Sequence, residues 1–174
     1  MENSSRPTLY IFSGLPASGK TTLARMLGRH FGFTHLRIDT IEQALRRSSA
    51  INITREGYDV AYQLAADQLM LGHSVIADSC NPITLTRQAW QSIATQNKAA
   101  FINIEVRCSD PVAHRNRTEN RQSDIAGLQL PTWEQVQTRQ YQTWRSVDVA
   151  VDTAGLTPIA AFQILCRQLQ LSDT

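Results

Sequence analysis

The sequence predicts an α/β fold in which a parallel sheet of five strands lies between two layers of helices. Short runs of apolar, β-branched and aromatic residues alternate five times with segments whose apolar residues recur at helical spacing. Such alternation is typical of a parallel sheet with helical crossovers. A glycine-rich loop, two aspartates and an arginine-rich segment each follow a different strand. The length of 174 residues is that of one domain, so we expect residues 1–174 to form a single domain.

Each strand is predicted from a short apolar run that ends at a polar or turn-forming residue. The runs are residues 8–13, 33–38, 74–77, 99–106 and 147–151. The helices are predicted from apolar spacing and from capping residues. They cover residues 22–31, 40–47, 56–71, 82–96, a segment that starts at 110 and carries the arginines up to 121, 132–145, and a last segment that starts at 157.

Three helix starts carry recognisable capping residues. Asp39 or Thr40 would cap the second helix, because aspartate and threonine side chains accept hydrogen bonds from unpaired N–H groups there. Pro82 suits the first turn of the fourth helix. Thr132 and Gln135 form a capping-box pair at the start of the sixth.

A motif in the first loop predicts a phosphate site. Residues 14–21, GLPASGKT, match G-x-x-x-x-G-K-[ST] between a predicted strand and a predicted helix, the context that this motif requires. The glycines let the backbone turn its N–H groups inward around an anion. Lys20 is placed to reach the outer phosphates and the Thr21 hydroxyl to ligate Mg²⁺. The alternative, a glycine-rich turn, leaves a lysine at a helix start without a reason. The predicted nucleotide-binding residues here are Gly14, Leu15, Pro16, Ala17, Ser18, Gly19, Lys20, Thr21 and Thr22.

Two aspartates follow the second and third strands. Asp39 and Asp78 each come directly after a predicted strand, and the carboxyl ends of parallel strands are where open α/β sheets bind ligands. Asp78 has the position of an acid that holds Mg²⁺. The alternatives are a helix cap for Asp39 and a turn aspartate for Asp78. Because both acids and the phosphate loop lie at the same edge of the sheet, we expect them to form one site.

The helix after the fourth strand carries Arg115, Arg117 and Arg121. Arg117 and Arg121 are four residues apart and share a face, whereas Arg115 lies off that face. One interpretation is a solvated basic face. The other is a mobile lid whose arginines close on the nucleotide and stabilise the transferring phosphate. On the second interpretation Arg117 also belongs to the nucleotide-binding residues.

Composition limits the location and partners of the chain. The formal net charge of +2 and the absence of a long basic run neither demand nor exclude a nucleic-acid partner. No apolar run is long enough to cross a bilayer, and residues 1–7 lack the apolar stretch of a signal peptide. Cys80, Cys108 and Cys166 match no metal-binding pattern and are typical of reduced cysteines. We therefore expect a cytoplasmic protein without a membrane partner, either a monomer or a homodimer.

Residues 78–82, DSCNP, followed by Arg87, are similar to an Asp-x-x-Asn segment with a downstream arginine. Together with the phosphate loop and the arginines of 113–121, this segment resembles the small P-loop kinases that include polynucleotide 5′-hydroxyl kinases and zeta-toxin-like kinases, often described as AAA-type ATP-binding proteins. The resemblance covers residues 9–151. It implies the three-layer sandwich of P-loop NTPases, with strand order 2-3-1-4-5 and an arginine lid over about residues 112–131.

The resemblance also implies roles for individual residues. ATP and Mg²⁺ would be the cofactors, with Mg²⁺ held by Thr21 and Asp78. Asp39 would accept the proton of the attacking hydroxyl, and Lys20, Arg117 and Arg121 would act on the phosphates. The substrate side would include Asp39, Asp78, Asn81 and Arg87; Arg87 would either hold Asp78 or contact the acceptor.

The acceptor stays open at this point. Polynucleotide kinases tend to have an arginine one turn after the acid, but here that residue is Glu42. Residues 39–42, DTIE, instead resemble the acceptor-binding segment of shikimate kinases. Arg37, Arg46 and Arg55 are the candidates to replace the missing arginine, and the segment 48–58 would set the choice. We expect an ATP-dependent kinase whose acceptor is a hydroxyl of a small metabolite or antibiotic, or a polynucleotide 5′-hydroxyl. The alternative is a nucleotide-binding ATPase or switch without an acceptor.

Overall fold

Five parallel strands form the centre of the protein. The computed structural model describes residues 6–48 and 53–171, so part of the predicted segment 48–58 lies outside the described residues. Within them the strands are β1 Thr8–Ser13, β2 Thr34–Arg37, β3 Val75–Asp78, β4 Ala100–Arg107 and β5 Val149–Asp152. They pair in the order β2-β3-β1-β4-β5, and every pairing is parallel. The predicted fold class and strand order are confirmed.

Helices connect the strands and cover both faces of the sheet. They are α1 Lys20–Phe31, α2 Ile38–Ser48, α3 Glu56–Met70, α4 Thr84–Gln96, α5 Pro111–Asn120, α6 Trp133–Gln137 and α7 Pro158–Gln168. In the described segments, no helix is both long and apolar enough to cross a membrane.

The central strand divides its side chains between two cores. In β1, Leu9 and Ile11 point to one face of the sheet and Tyr10 and Phe12 to the other, as the alternation along a strand requires. The first face packs on α3 and α4, and the second on α1 and α7. All four side chains are buried, so β1 is held from both sides. The loop that follows it therefore starts from a rigid base.

Three predicted helix starts are displaced by two residues. The first helix, expected from residue 22, begins at Lys20. The helix expected at Thr40 begins at Ile38, so Asp39 lies in its first turn instead of before it. The chain turns into the helix directly after Arg37, the last residue of β2 paired with β3. The helix expected at Pro82 begins at Thr84, because the Pro82 carbonyl accepts a hydrogen bond from the backbone N–H of Gln142 (2.8 Å).

The sixth helix is much shorter than predicted. The capping box of Thr132 and Gln135 is present as expected. The helix nevertheless ends at Gln137, because the residues after it bind other parts of the fold. The side-chain oxygen of Gln142 accepts hydrogen bonds from the backbone N–H (2.7 Å) and the hydroxyl (2.9 Å) of Thr84. Trp144 is buried in the core beside α3 and α4.

Arg87 connects this irregular segment to the end of β3. Its side chain is only 2% exposed. The guanidinium donates to the carbonyl of Asn81 (2.8 Å) and to the carbonyl of Gln142 (2.7 Å). It also lies over the rings of Tyr141 and Trp144, at 5.0 and 4.7 Å from their centroids. A buried cation with these contacts holds three segments of chain together.

We expect Arg87→Met to destabilise the protein by about 2–4 kcal/mol, because two buried carbonyls lose charged donors. Urea unfolding followed by circular dichroism measures this. The matched control is Arg115→Met. Arg115 is an exposed arginine of α5 that pairs with Glu119 of that helix. The stability of this variant should stay within about 0.5 kcal/mol of that of the unchanged protein. Equal stability of the two variants would contradict the structural role of Arg87.

Candidate active site

The loop after β1 turns where only glycine fits. Gly14 has φ of 145° and Gly19 has φ of 101°. A Cβ on Gly14 would lie 2.1 Å from the carbonyl oxygen of Val106 in β4, far inside van der Waals contact. The N–H of Gly14 donates to the carbonyl of Cys80, just after β3 (3.2 Å). The loop is therefore seated between the two strands that flank β1.

Two residues that the sequence analysis did not single out hold the loop from the other side. The Thr153 hydroxyl donates to the carbonyl of Ser18 (2.8 Å). The Nε2 of His114, on α5, donates to the carbonyl of Pro16 (2.8 Å), and His114 is buried with its ring edge against Trp133. Thr153 could have been found, since it directly follows β5 at the same edge of the sheet. No sequence signal points to His114.

Lys20 is the first residue of α1 and is 6% exposed. Burial disfavours its charge. The Cys80 sulfur and the carboxylates of Asp78 and Asp39 favour that charge more strongly, so the pKa of Lys20 is raised above its ordinary value. Lys20 is therefore a buried cation at the end of the loop.

Asp78 is held in one orientation by two partners. Its Oδ1 accepts a hydrogen bond from the Thr21 hydroxyl (3.2 Å), and its Oδ2 lies 3.1 Å from Nε2 of His35. Asp78 is 2% exposed. Burial raises its pKa, but His35, Lys20 and Thr21 together lower the pKa below its ordinary value. The structure thus brings Thr21 and Asp78 into contact, and adds His35, whose only sequence signal is a polar side chain within β2.

The arginines of α5 take three different positions. Arg117 donates to the hydroxyl (2.7 Å) and the carbonyl (2.9 Å) of Thr153. Arg121 follows the helix, and its half-buried guanidinium has an Nε without a hydrogen-bond partner in the described residues. Burial, only partly offset by Asp39, lowers the pKa of Arg121. Arg115 points outward and pairs with Glu119 (2.8 Å).

Two cavities meet at the loop. The first, here called the α7 cavity, has a volume of about 420 Å³ and extends from Thr22 and Arg117 to Leu156 and Pro158. The second, the α2 cavity, has about 560 Å³ and extends along α2 to the residues after α5 and α6. Lys20 and Arg121 line both cavities. Asp39 lines the α2 cavity, so the two cavities join beside a cation pair and an exposed carboxylate.

Asn81 and Arg87 lie behind the site. Asn81 has φ of 43°, is fully buried, and donates from Nδ2 to the carbonyl of Phe12 (2.8 Å). Arg87 binds the carbonyl of Asn81 and is not among the described residues that line either cavity. Among the described residues, Arg87 does not hold Asp78: its guanidinium binds the carbonyls of Asn81 and Gln142. Arg87 instead supports Asn81, which in turn supports the end of β1.

An ion cluster fixes the segment after α5. Asp124 accepts hydrogen bonds from Arg25 of α1 and from Arg37 of β2 (2.9 and 3.1 Å). The bond from Arg25, with that from Arg37, lowers the pKa of Asp124 to about 2. The segment that follows the arginines of α5 is thereby attached to the sheet and to α1.

Residues 9–144 match a family model described as an AAA domain. The chain belongs to this family. A comparison with curated proteins gave no match. The resemblance to small P-loop kinases of AAA type is confirmed.

Several solved structures that are similar to this AAA-domain protein are named as kinases. One, described as a kinase from Chloroflexus aurantiacus, has 22% identity and a TM-score of 0.70, with 95% of this chain and 100% of that chain covered. A gluconokinase from Sinorhizobium meliloti has 15% identity and a TM-score of 0.68, with 95% of this chain and 93% of that chain covered. An APS kinase from Mycobacterium tuberculosis, in complex with AMPPNP and APS, has 16% identity and a TM-score of 0.68, with 95% of this chain and 98% of that chain covered. At these identities the similarity shows a kinase-like P-loop fold.

We expect Gly14→Ala to weaken ADP binding by at least about tenfold, equivalent to about 1.4 kcal/mol, because the added Cβ would collide with the Val106 carbonyl. Isothermal titration calorimetry measures the affinity. Gly32→Ala is the matched control: Gly32 also has positive φ, 71°, but its Cβ would meet nothing within 4 Å. Equal affinities in the two variants would show that the close approach of Gly14 does not shape the binding loop.

The Asp124 cluster predicts a pH dependence. Since its pKa in the folded protein, about 2, lies below the ordinary 3.8, its stabilisation is complete above the ordinary value and is lost as pH falls towards 2. Asp124 is half exposed, so Asp124→Asn should cost less than about 1 kcal/mol at pH 7. That difference should shrink between pH 4 and pH 2 in urea unfolding. A difference that stays constant with pH would contradict the assignment.

Proposed function

We propose that this protein is an ATP-dependent kinase that transfers the γ-phosphate to a hydroxyl of a small molecule or to a polynucleotide 5′-hydroxyl. The observation that carries the proposal is the junction of two cavities at Lys20 and Arg121. A phosphotransferase needs one cavity for the donor and one for the acceptor, joined where cations can bear the charge of the group in transit. A nucleotide switch needs only the first.

The α7 cavity suits the nucleoside triphosphate. It begins at the loop whose N–H groups and helix N-terminus suit phosphates, and it continues to Leu156 and Pro158, apolar residues beside which a base can pack. Arg117 lines the cavity with its guanidinium held by Thr153. The phosphate chain would then lie along residues 14–22 and end beside Lys20.

Thr21 and Asp78 fit a Mg²⁺ ion. A hydroxyl and a carboxylate lie within hydrogen-bond distance of each other at the end of the loop, and Mg²⁺ is typically bound by one or two such oxygens together with substrate phosphates and waters. The ion would neutralise charge on the outer phosphates. His35 keeps the second oxygen of Asp78 engaged, which leaves Oδ1 directed towards Thr21.

Asp39 is placed to receive the acceptor. Its carboxylate is exposed in the first turn of α2 and lines the α2 cavity together with Lys20 and Arg121. There it would accept a hydrogen bond from the attacking hydroxyl, orient it towards the γ-phosphate and take its proton. Arg121 would stabilise charge on the transferring group, since its Nε is free of protein partners in the described residues. Residues of about 112–131 would act as the lid.

We expect Asp39→Asn to lower kcat by about 10²–10⁴-fold, the usual contribution of a general base, while the Kd for ATP stays within about twofold. Transfer of label from [γ-³²P]ATP–Mg²⁺ to a pool of small hydroxyl compounds or to a 5′-hydroxyl oligonucleotide measures this. Lys20→Ala should abolish transfer and weaken ATP binding as well. Label that appears only as free phosphate and is unaffected by Asp39→Asn would exclude the kinase and indicate an ATPase or switch.

A further inference from the structure

The face of α2 that lines the α2 cavity is strongly charged. Residues at spacings of three, four, seven and eight from Asp39 lie on this face: they are Glu42, Gln43, Arg46 and Arg47. Asp39 lies at the end beside Lys20, and Arg47 lies eight residues further along, about 12 Å along the helix axis. Different side chains of α2 therefore line the end of the cavity beside Lys20 and the end about 12 Å further along the helix.

The arginines proposed from the sequence to hold a substrate anion are already engaged. Arg37 binds Asp124. Arg55 is exposed and pairs with Asp59 in the next turn of α3 (3.0 Å). Arg46 lines the cavity, but its guanidinium pairs with Glu42 (2.9 Å). The charge of each is thus compensated within the protein.

Arg47 and Arg139 differ from these three. Arg47 lies in the last turn of α2, and Arg139 lies just after α6. Both are exposed and line the α2 cavity. Over residues 6–48 and 53–171, neither has an acidic partner within ion-pair distance. Two cations without an acidic partner in the described residues thus come from separate elements to the same cavity.

We propose that the acceptor is a small hydroxyl compound that carries a carboxylate or phosphate ester group, and that Arg47 and Arg139 bind this group. The inference rests on the proposed kinase function and names its substrate class. Guanidinium groups match the oxygens of carboxylates and phosphates in charge and geometry. A cavity of about 560 Å³ is in the usual range for a small-molecule site. Asp39 would hold the hydroxyl at one end while the arginines hold the anion at the other.

This arrangement also selects against other acceptors. A cationic acceptor, such as an amino-sugar antibiotic, would bring its charge towards Arg47 and Arg139, and like charges repel. A neutral polyol would leave both arginines solvated without gaining their contacts. Arg47 and Arg139 would therefore favour anionic acceptors and disfavour cationic ones.

The test uses pairs of probes in which a carboxylate replaces one terminal hydroxymethyl group: D-gluconate with sorbitol, and D-glycerate with glycerol. A 5′-hydroxyl oligonucleotide is added as a separate acceptor. Phosphate transfer is measured with ATP–Mg²⁺, and binding is measured by calorimetry on the complex with AMPPNP–Mg²⁺. The variant is the double substitution Arg47→Gln and Arg139→Gln. Its control is Arg29→Gln, which removes an exposed arginine from the last turn of α1, outside both cavities.

We expect kcat/KM for the anionic member of a pair to exceed that for its neutral partner by about tenfold or more, the usual effect of one charge-assisted contact. The double variant should lose this preference through KM, with KM for ATP unchanged, and Arg29→Gln should keep it. Equal use of neutral and anionic probes, or a preference that survives the double substitution, would overturn the inference and leave the kinase proposal intact.

Two further outcomes separate the inference from the kinase proposal. If no probe is phosphorylated but an anionic probe binds the AMPPNP complex and loses affinity in the double variant, the anion site stands and the kinase proposal fails. If no probe is phosphorylated and no anionic probe shows binding that depends on the two arginines, the inference is wrong. Preferential phosphorylation of the oligonucleotide over both acids would also overturn the small-molecule acceptor.

Discussion

The site depends on the close approach of Gly14 to the carbonyl of Val106. Because no Cβ intervenes, the loop can descend between the ends of β3 and β4 and bind the Cys80 carbonyl with its first N–H. This placement brings the start of α1 over the carboxyl edge of the sheet, and so sets Lys20 and Thr21 beside Asp78. The rigidity of β1, buried on both faces, is what makes that position reproducible.

The charged groups at this edge of the sheet compensate one another. A buried Lys20 is tolerated because Asp78 and Asp39 favour its charge, and Asp78 is kept ionised against its burial by His35 and Lys20. If the loop binds phosphates as proposed, such a preorganised arrangement would need little reorganisation energy. The part of the site proposed to hold the nucleotide is therefore built from contacts among the loop, the sheet and α1.

The segment from α5 to α6 is tied to the rest of the site at several points. His114 binds the loop at Pro16, Arg117 shares Thr153 with Ser18, and Asp124 binds Arg25 and Arg37. The proposed lid therefore contacts the loop, the last strand and α1. If α5 moves as the proposed lid, the hydrogen bond from His114 to the loop carbonyl of Pro16 would link its position to the proposed nucleotide site.

The sequence by itself determined the strand order through its resemblance, the phosphate loop through its motif, and the convergence of Asp39 and Asp78 through their places after strands. These are local signals, or rules of sheet topology, and they need no knowledge of distant contacts.

Only the tertiary structure decided that the sixth helix ends at Gln137, that Arg87 supports Asn81, and that His35, His114 and Thr153 join the site. Apart from the bond between Arg87 and Asn81, which are six residues apart, each of these depends on a partner 36 or more residues away. Such pairings likewise decided which arginines line the α2 cavity without an acidic partner in the described residues, because a side chain's charge in the sequence does not show which carboxylate neutralises it.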